Sequence, residues 1–355
     1  MSIEPSVCAA GRRSPFRSVR LGVVLLAACC AAASPPAQQL SPHASRAVAV
    51  DTRGNAGGGI FAPANLLGAP RGGGLAMGSL HVHSLGIGGE VTLGFDVTLV
   101  DGPGADLLVA ENPFAAGGLD VFAEAVFVEI SSDGLVFARL PTRYVGPTSP
   151  AGPLGVRPIG SYAGLAGQAP VWAGSVSAPQ ADPRDVVEAG GDAFDFADLA
   201  AHPLVVQGRV DLRAIHWVRL IDVRSGQDLD TQGVPILDAE SGSADIDALT
   251  AIHFAEDPQP NGPRVDVRVR GDGSFDLEFA DQDGLADLDL ATLRIALFGR
   301  PIEPAALLGA LSITALASDR IVFTWPHALP PELRLHVAAS VKDRAGARSG
   351  DARVR

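Results

Sequence analysis

The sequence predicts an all-β protein, in which an antiparallel jelly-roll sandwich is followed by a second, smaller domain of strands. Three observations support this fold class. Short segments alternate between apolar and polar residues with a period of two, as half-buried strands do. Turn-forming Gly, Pro, Asp and Asn separate these segments along the whole chain. No segment shows the regular succession of strands and helices that a parallel sheet requires.

The stretch from Gly86 to Phe114 is the clearest strand pattern in the first domain. Residues 91–99 alternate, residues 101–106 supply turn chemistry, and residues 107–111 begin a second apolar strand. We therefore expect a long hairpin at the centre of the sandwich, with Glu111 at its exit.

Other segments of the first domain carry the same signals. The pair 125–131 and 136–140 flanks an Asp-Gly turn, which predicts a hairpin. Further strands are expected at residues 47–51, 79–85, 215–222 and 245–253.

The first 33 residues read as a secretory signal. Four arginines precede the apolar run from Leu21 to Ala33, which is too short to span a membrane. Within this run, residues 26–29 (Leu-Ala-Ala-Cys) resemble a bacterial lipobox, which implies that Cys29 is lipidated. The alternative is ordinary cleavage near Ala33. Residues 34–46 are interpreted as a flexible spacer.

Charge and cysteine content restrict the possible partners. The net charge is −13 and Lys342 is the only lysine, so the chain has no cluster of cations for nucleic acid. All three cysteines lie in the first 30 residues, so disulfides cannot stabilise the remainder. We expect an exported protein of the cell envelope or outer surface that contacts the membrane only through an N-terminal lipid anchor. Without processing at Cys29 it would be secreted or periplasmic.

Residues 256–263 read as a linker, and residues 264–355 as a second β domain. Strands are expected at 265–269, 275–279, 292–298, 311–316, 320–325 and 333–341. The segment Asp343–Gly346 resembles the end of bacterial immunoglobulin-like repeats. This resemblance implies an immunoglobulin-like β-sandwich.

An ordered series of motifs between residues 45 and 255 resembles a group of uncharacterised bacterial cell-surface proteins. The motifs are Leu67-Gly-Ala-Pro, Ser84-Leu-Gly-Ile-Gly-Gly-Glu-Val-Thr-Leu-Gly-Phe-Asp, Val100-Asp-Gly-Pro-Gly-Ala-Asp, Glu111-Asn, Val128-Glu-Ile-Ser-Ser-Asp-Gly and Ala189-Gly-Gly-Asp-Ala-Phe-Asp. That group is similar to discoidin-like and carbohydrate-binding jelly rolls. The resemblance implies a jelly roll over residues 47–255 and a location at the cell surface, but no reaction.

Calcium is the cofactor that this resemblance implies, because related jelly rolls hold a structural calcium near the start of the last strand. Carboxylates are suitable calcium ligands. The candidate ligands are Glu111, Asp192, Asp195, Asp245 and Asp247. The alternative is that these acids cap turns and face water. A second acidic loop, residues 281–289, departs from the EF-hand spacing and is interpreted as a solvated turn.

Aromatic and imidazole side chains suggest two further sites. Trp172, in a Gly-rich loop, and Tyr162 are candidate platforms for a sugar ring. His81 and His83 lie two residues apart, so a strand would put both on one face. They are interpreted as solvent-facing histidines, with a metal site as the alternative.

No recognised catalytic motif occurs, since the chain lacks a nucleophile elbow, a phosphate-binding loop and a zinc-binding helix. We therefore expect a noncatalytic binding or adhesion protein with a glycan or protein partner, carbohydrate being the favoured ligand class. Two alternatives stay open: a hydrolase of polysaccharides that uses paired carboxylates, and a structural envelope protein.

Overall fold

The computed structural model describes residues 40–54, 59–257, 262–330 and 333–354. Strands account for 39% of the chain and helices for 5%, and every sheet is antiparallel, which confirms the predicted all-β sandwich class. No helix in these ranges is long and apolar enough to cross a membrane.

The first sandwich contains fifteen named strands within the described ranges, together with three short helical segments. The strands are β1 (Arg46–Asp51), β2 (His83–Ser84), β3 (Glu90–Leu99), β4 (Leu107–Ala110), β5 (Phe114–Gly117), β6 (Asp120–Phe122), β7 (Val126–Ser131), β8 (Ala138–Arg139), β9 (Arg143–Tyr144), β10 (Val156–Pro158), β11 (Tyr162–Ala163), β12 (Asp192–Phe194), β13 (Ile215–Asp222), β14 (Asp245–Ile246) and β15 (Ala248–Ala251). The helical segments are two 3₁₀ turns, Pro63–Leu66 and Phe196–Leu199, and α1 (Pro203–Val206).

The second sandwich contains eight further strands and one helix. They are β16 (Arg264–Val269), β17 (Phe275–Ala280), β18 (Leu288–Leu297), β19 (Arg300–Ile302), α2 (Pro304–Leu308), β20 (Ser312–Leu316), β21 (Arg320–Trp325), β22 (His336–Asp343) and β23 (Arg348–Val354). Their two sheets have the orders β16-β17-β21-β20 and β19-β18-β22-β23. A separate core, which includes Phe275, Phe279 and Val337, fills the space between them.

Two layers enclose the main core of the first sandwich. One is the five-stranded sheet β1-β3-β13-β7-β8, and the other is the three-stranded sheet β12-β4-β15. Alternate residues of β3, such as Val91, Leu93 and Val97, point into a core that Leu107 and Leu249 close from the opposite layer. The period-two pattern therefore corresponds to one buried face, as predicted.

The predicted hairpin of residues 86–114 is wrong, because β3 and β4 do not pair. β3 pairs with β1 and β13, whereas β4 pairs with β12 and β15 in the opposite layer. Residues 100–106 thus form an arch across the edge of the core. Alternation shows which face of a strand is buried, but it does not show which strand lies beside it. The Asp-Gly hairpin of β7 and β8 forms as predicted.

The end of the predicted spacer belongs to the fold. His43 and Ala44 are buried, and the backbone NH of Ala44 donates to the carbonyl of Leu249 at 3.1 Å. The carbonyl of Pro42 accepts a bond from the NH of Ala251 at 2.7 Å. Residues 42–46 are therefore not a flexible spacer, because they extend the edge of both layers.

Residues 40–355 form one compact unit by their contacts, although they contain two sandwich cores. A cluster of small side chains spans the junction of the two sandwiches. It consists of Ala105, Leu108, Ala173, Val186, Val187, Ala189 and Ile252 from the first sandwich, with Ala296 and Ala338 from the second. The NH of Ala105 donates to the carbonyl of Gly350 at 2.8 Å. Small residues let the two backbones approach closely here.

Candidate functional site

The five predicted calcium ligands do not share one site. Glu111 and Asp245 are neighbours, with the NH of Asp245 donating to Glu111 Oε1 at 3.0 Å. Asp192 is instead buried on β12, where Oδ2 accepts from the NH groups of Gly167 and Gln168 at 2.8 and 3.1 Å. A single calcium shell formed by all five residues is therefore wrong.

Asp195 and Asp247 lie at two further places. Asp195 caps the second 3₁₀ turn by accepting from the NH of Ala197 at 2.8 Å, and it pairs with Arg353 at 3.0 Å. Asp247 Oδ2 accepts from the NH of Arg71 at 2.6 Å. The alternative interpretation was that these acids cap turns and face water. Asp192, Asp195 and Asp247 do accept from backbone NH groups, but Asp192 and Asp247 are buried and do not face water.

Glu111 and Asp245 belong to a larger group of buried acids, which we call the carboxylate cluster. Its other members are Glu124, Asp222 and Asp238. Asp222 accepts from the NH groups of Gly88 and Ala244, both at 2.8 Å, and Asp238 accepts from the NH of Ala125 at 2.8 Å. No arginine or lysine forms an ion pair with these five side chains within the described residues.

Burial and mutual repulsion change the protonation of the carboxylate cluster. Burial, followed by the charges of Asp245, Asp238 and Asp222, raises the pKa of Glu124 to about 9. Burial raises the pKa of Asp222 and of Asp238 to about 7, and that of Glu111 well above its usual value. Each group keeps its proton more strongly than in water because its charged form has lost hydration.

Three members of the carboxylate cluster, Glu124, Asp222 and Asp238, were not predicted from the sequence. Asp222 had a usable signal, since the inward positions Val218 and Leu220 of β13 continue with period two to Asp222. Glu124 and Asp238 lie outside the named strands. Alternation therefore gave no information on their burial.

Two groups of three carboxylates have ligand atoms within 4.8 Å of one another in the described part of the chain. The first is Asp101, Asp106 and Asp195. The buried Asp106 accepts from the NH groups of Gly102 and Phe196, both at 2.7 Å, and faces His253 Nδ1 at 2.9 Å. Arg353 also pairs with Asp195 at 3.0 Å, so two of the three carboxylates, those of Asp106 and Asp195, already have partners.

The second group is Asp281, Asp287 and Asp343, at one end of the second sandwich. Asp281 is 7% exposed, and its Oδ2 is buried without a hydrogen-bond partner. The interpretation of residues 281–289 as a solvated turn is therefore wrong at its first residue. A turn with alternate acids has no sequence signal for burial, which here comes from the neighbouring β22–β23 turn.

His81 and His83 do not act as a pair. His83 is buried and its Nδ1 lies 2.9 Å from the carbonyl oxygen of Phe61, so its interpretation as a solvent-facing residue is wrong. His81 Nδ1 lies 3.7 Å from Asp247 Oδ1, and neither atom has a hydrogen-bond partner among the described residues. This distance is too long for a direct hydrogen bond.

Tyr162 cannot serve as a platform for a sugar. Its side chain is fully buried, and its hydroxyl donates to the carbonyl of Leu237 and to Asp238 Oδ1, both at 3.0 Å. Burial and the adjacent Asp238 charge raise its pKa well above the usual value. The prediction was wrong because Tyr162 lies on β11 and its ring packs into the core beside Asp238 of the carboxylate cluster.

Trp172 is half-buried and lies at the wall of a groove between the two sandwiches. The groove has a volume of about 720 Å³, which is within the range of ligand sites. The indole Nε1 donates to the carbonyl of Gly299 at 3.2 Å, which fixes the ring against the second sandwich. A Cβ at Gly190 would lie 2.7 Å from the indole ring, so glycine leaves the space that the ring occupies.

Polar side chains face the same groove from both sandwiches. Gln180 and Glu188 come from the first sandwich, and Arg294 and Glu303 come from the second. Glu188 Oε1 and Arg294 Nε are 3.4 Å apart. Such amide, carboxylate and guanidinium groups offer donors and acceptors in fixed planes beside an aromatic ring.

Comparison of the sequence with protein-family models and with curated proteins found no match.

Proposed function

We propose that this protein is an exported, lipid-anchored cell-surface protein that binds carbohydrate without catalysis, in the groove beside Trp172. The observation that carries the proposal is the position of this tryptophan. Its ring lines a groove of about 720 Å³ and is held in place by the hydrogen bond to Gly299. A fixed aromatic surface loses little conformational entropy when a ligand stacks on it.

The other walls of the groove fit this ligand class. Apolar side chains of Ile295, Pro301 and Ile302 lie beside the charged Glu188 and Arg294. A sugar ring has apolar CH faces and a polar rim of hydroxyl groups, so it requires this combination. Bidentate groups such as carboxylate and guanidinium match pairs of adjacent hydroxyls.

The binding proposal predicts that Trp172→Ala abolishes retention of polysaccharide. Removal of the ring takes away the stacking surface, and we expect the affinity to fall at least about tenfold, which corresponds to about 1.4 kcal/mol. The measurement is a glycan array, followed by affinity electrophoresis on the polysaccharides that bind wild type. Reducing-end release is assayed in the same samples.

Trp217→Ala is the matched control. Trp217 is also half-buried, but it lies on β13 outside the groove, and the guanidinium of Arg46 packs over its ring. It should retain wild-type binding. If Trp172→Ala fails to fold, Gln180→Ala supplies the test, since that side chain is exposed at the groove. Wild-type protein that binds no glycan, or that releases reducing ends, would reject a noncatalytic carbohydrate-binding function.

Export and anchoring rest on the sequence, since Cys29 and the signal segment lie outside the described residues. The proposal expects Cys29→Ala to move the protein from the membrane fraction to the soluble fraction of the producing cells. The physical reason is that acyl chains on Cys29 supply the membrane affinity. Continued sedimentation of Cys29→Ala with membranes would contradict a lipid anchor at this residue.

Calcium in the first sandwich stays a prediction. Two of the predicted ligands, Glu111 and Asp245, are neighbours in the carboxylate cluster. A divalent cation bound there would offset the repulsion between the carboxylates, which otherwise favours their protonated forms.

A further inference from the structure

A loop and a turn of the second sandwich bring three carboxylates together. Asp281 follows β17, Asp287 precedes β18, and Asp343 ends β22. One oxygen from each lies within 4.8 Å of the other two. Calcium–oxygen bonds measure about 2.3–2.6 Å, so two ligands of one ion are separated by no more than about twice that length. The three oxygens meet this condition.

The buried oxygen of Asp281 is the observation that distinguishes this site from an ordinary acidic turn. Oδ1 accepts from the NH of Asp283 at 2.9 Å, but Oδ2 is buried and has no partner within the described structure. A buried carboxylate oxygen without a partner is costly. Protein structures rarely keep one unless water or an ion completes it.

The charged groups that act most strongly on Asp281 are other carboxylates, those of Asp287, Asp343 and Asp283. Asp281, Asp287 and Asp343 face one another with one oxygen of each within 4.8 Å of the other two. No ion pair to arginine or lysine involves Asp281, Asp287 or Asp343 in the described chain.

We propose that Asp281, Asp287 and Asp343 bind one calcium ion. The donors are oxygens only, whereas zinc prefers imidazole or thiolate. Three carboxylates give a charge of −3, and backbone carbonyls or water can complete the six to eight ligands that calcium takes. Magnesium fits less well, because it demands octahedral geometry and retains its water.

Calcium at this position would tie together segments that are far apart in the sequence. Asp343 Oδ1 already accepts from the NH of Ala347 at 2.8 Å, and the carbonyl of Asp287 accepts from the NH of Arg344 at 2.9 Å. The ion would add a bond between the 281–287 loop and the β22–β23 turn. It would thereby stabilise the second sandwich independently of the groove at Trp172.

The test is calcium-dependent thermal stability of the purified protein after treatment with a chelator. We expect calcium at about one hundred times its dissociation constant to raise the Tm by about 5 °C. Asp281→Asn should lose this rise and should bind one calcium ion fewer by isothermal titration calorimetry. Asp289→Asn is the matched control, since Asp289 lies at the start of β18, just beyond the loop, and accepts from the NH of Ala291 at 3.2 Å. It should keep both the rise and the stoichiometry.

Either of two results would overturn the site: no calcium-dependent rise in wild type, or an unchanged rise and stoichiometry in Asp281→Asn. The second result would assign any bound calcium to another place, such as the carboxylate cluster. If Asp281→Asn is unfolded, Asp287→Asn gives the same two readouts from a less buried position. An equal rise with magnesium would reject the selectivity for calcium.

Discussion

Glu124 is a carboxyl group that the fold holds away from water and among other acids. Its pKa is raised to about 9, against an ordinary value of 4.5, by burial first and then by its acidic neighbours. The folded state therefore binds a proton more tightly than the unfolded state. The resulting stability is present at low pH and is lost as the pH rises from about 4.5 towards 9.

Glu124→Gln keeps the shape of the protonated side chain without its titration. We expect this variant to be more stable than wild type at pH 8.5, in calcium-free buffer, because wild-type Glu124 must take up a proton on folding at that pH and glutamine need not. Its unfolding free energy should fall less steeply with pH, by up to about 1.4 kcal/mol per pH unit for the one proton removed. Urea unfolding at pH 5, 7 and 8.5 measures this dependence.

Glu240→Gln is the control at an exposed position near the same loops. It should follow the wild-type curve at each pH. Burial also raises the pKa values of Asp222 and Asp238, so the whole carboxylate cluster should take up protons on folding. Wild-type protein that is more stable at pH 8.5 than at pH 5 would contradict this proton uptake.

The arch between β3 and β4 depends on one side chain. Asp106 is fully buried and accepts from the NH groups of Gly102 and Phe196, while it also faces His253. These contacts fix the backbone where the chain crosses from one layer to the other. We expect Asp106→Ala to reduce the unfolding free energy by about 3–5 kcal/mol, since several buried donors lose their acceptor.

Asp96→Ala provides the comparison, on the strand β3 that leads into the arch. Asp96 is exposed on β3 and pairs with Arg46 at 2.9 Å, so its removal should change the unfolding free energy by no more than about 0.5–1 kcal/mol. Chemical denaturation of both variants measures the difference. Equal effects would mean that the polar network at Asp106 does not hold the arch.

Much of this element-scale organisation was predictable, but strand partners were not. Strands such as β13 and β21 coincide with the predicted segments because one face of each packs against a core. The segment 245–253 was predicted as one strand, but it divides into β14 and β15, which join different sheets. Each strand segment has its own apolar pattern, but the choice of neighbouring strand depends on the path of the arches and turns that connect the strands.

At the scale of the whole molecule, the sequence predicted two domains joined by a linker, whereas the structure packs the two sandwiches against each other. Pro, Gly and Asn near residue 260 indicated a linker, yet the two sandwiches meet through the alanine-rich cluster and through direct polar contacts. Ser340 donates to Asp185 at 2.7 Å, and Arg353 pairs with Asp195 at 3.0 Å and with Asp198 at 2.8 Å. Small residues such as Ala296 and Ala338 carry no sequence signal for a contact surface. The groove at Trp172 was not predictable for the same reason.

The ion pair at this junction has a practical consequence for labelling chemistry. Lys342, the only lysine of the chain, has its Nζ 3.2 Å from Asp182 across the two sandwiches, and its side chain is 26% exposed. Amine-reactive esters therefore have a single side-chain target, and it reacts fully only when the junction opens. A fluorophore attached there would be a one-site reporter of whether the two sandwiches separate.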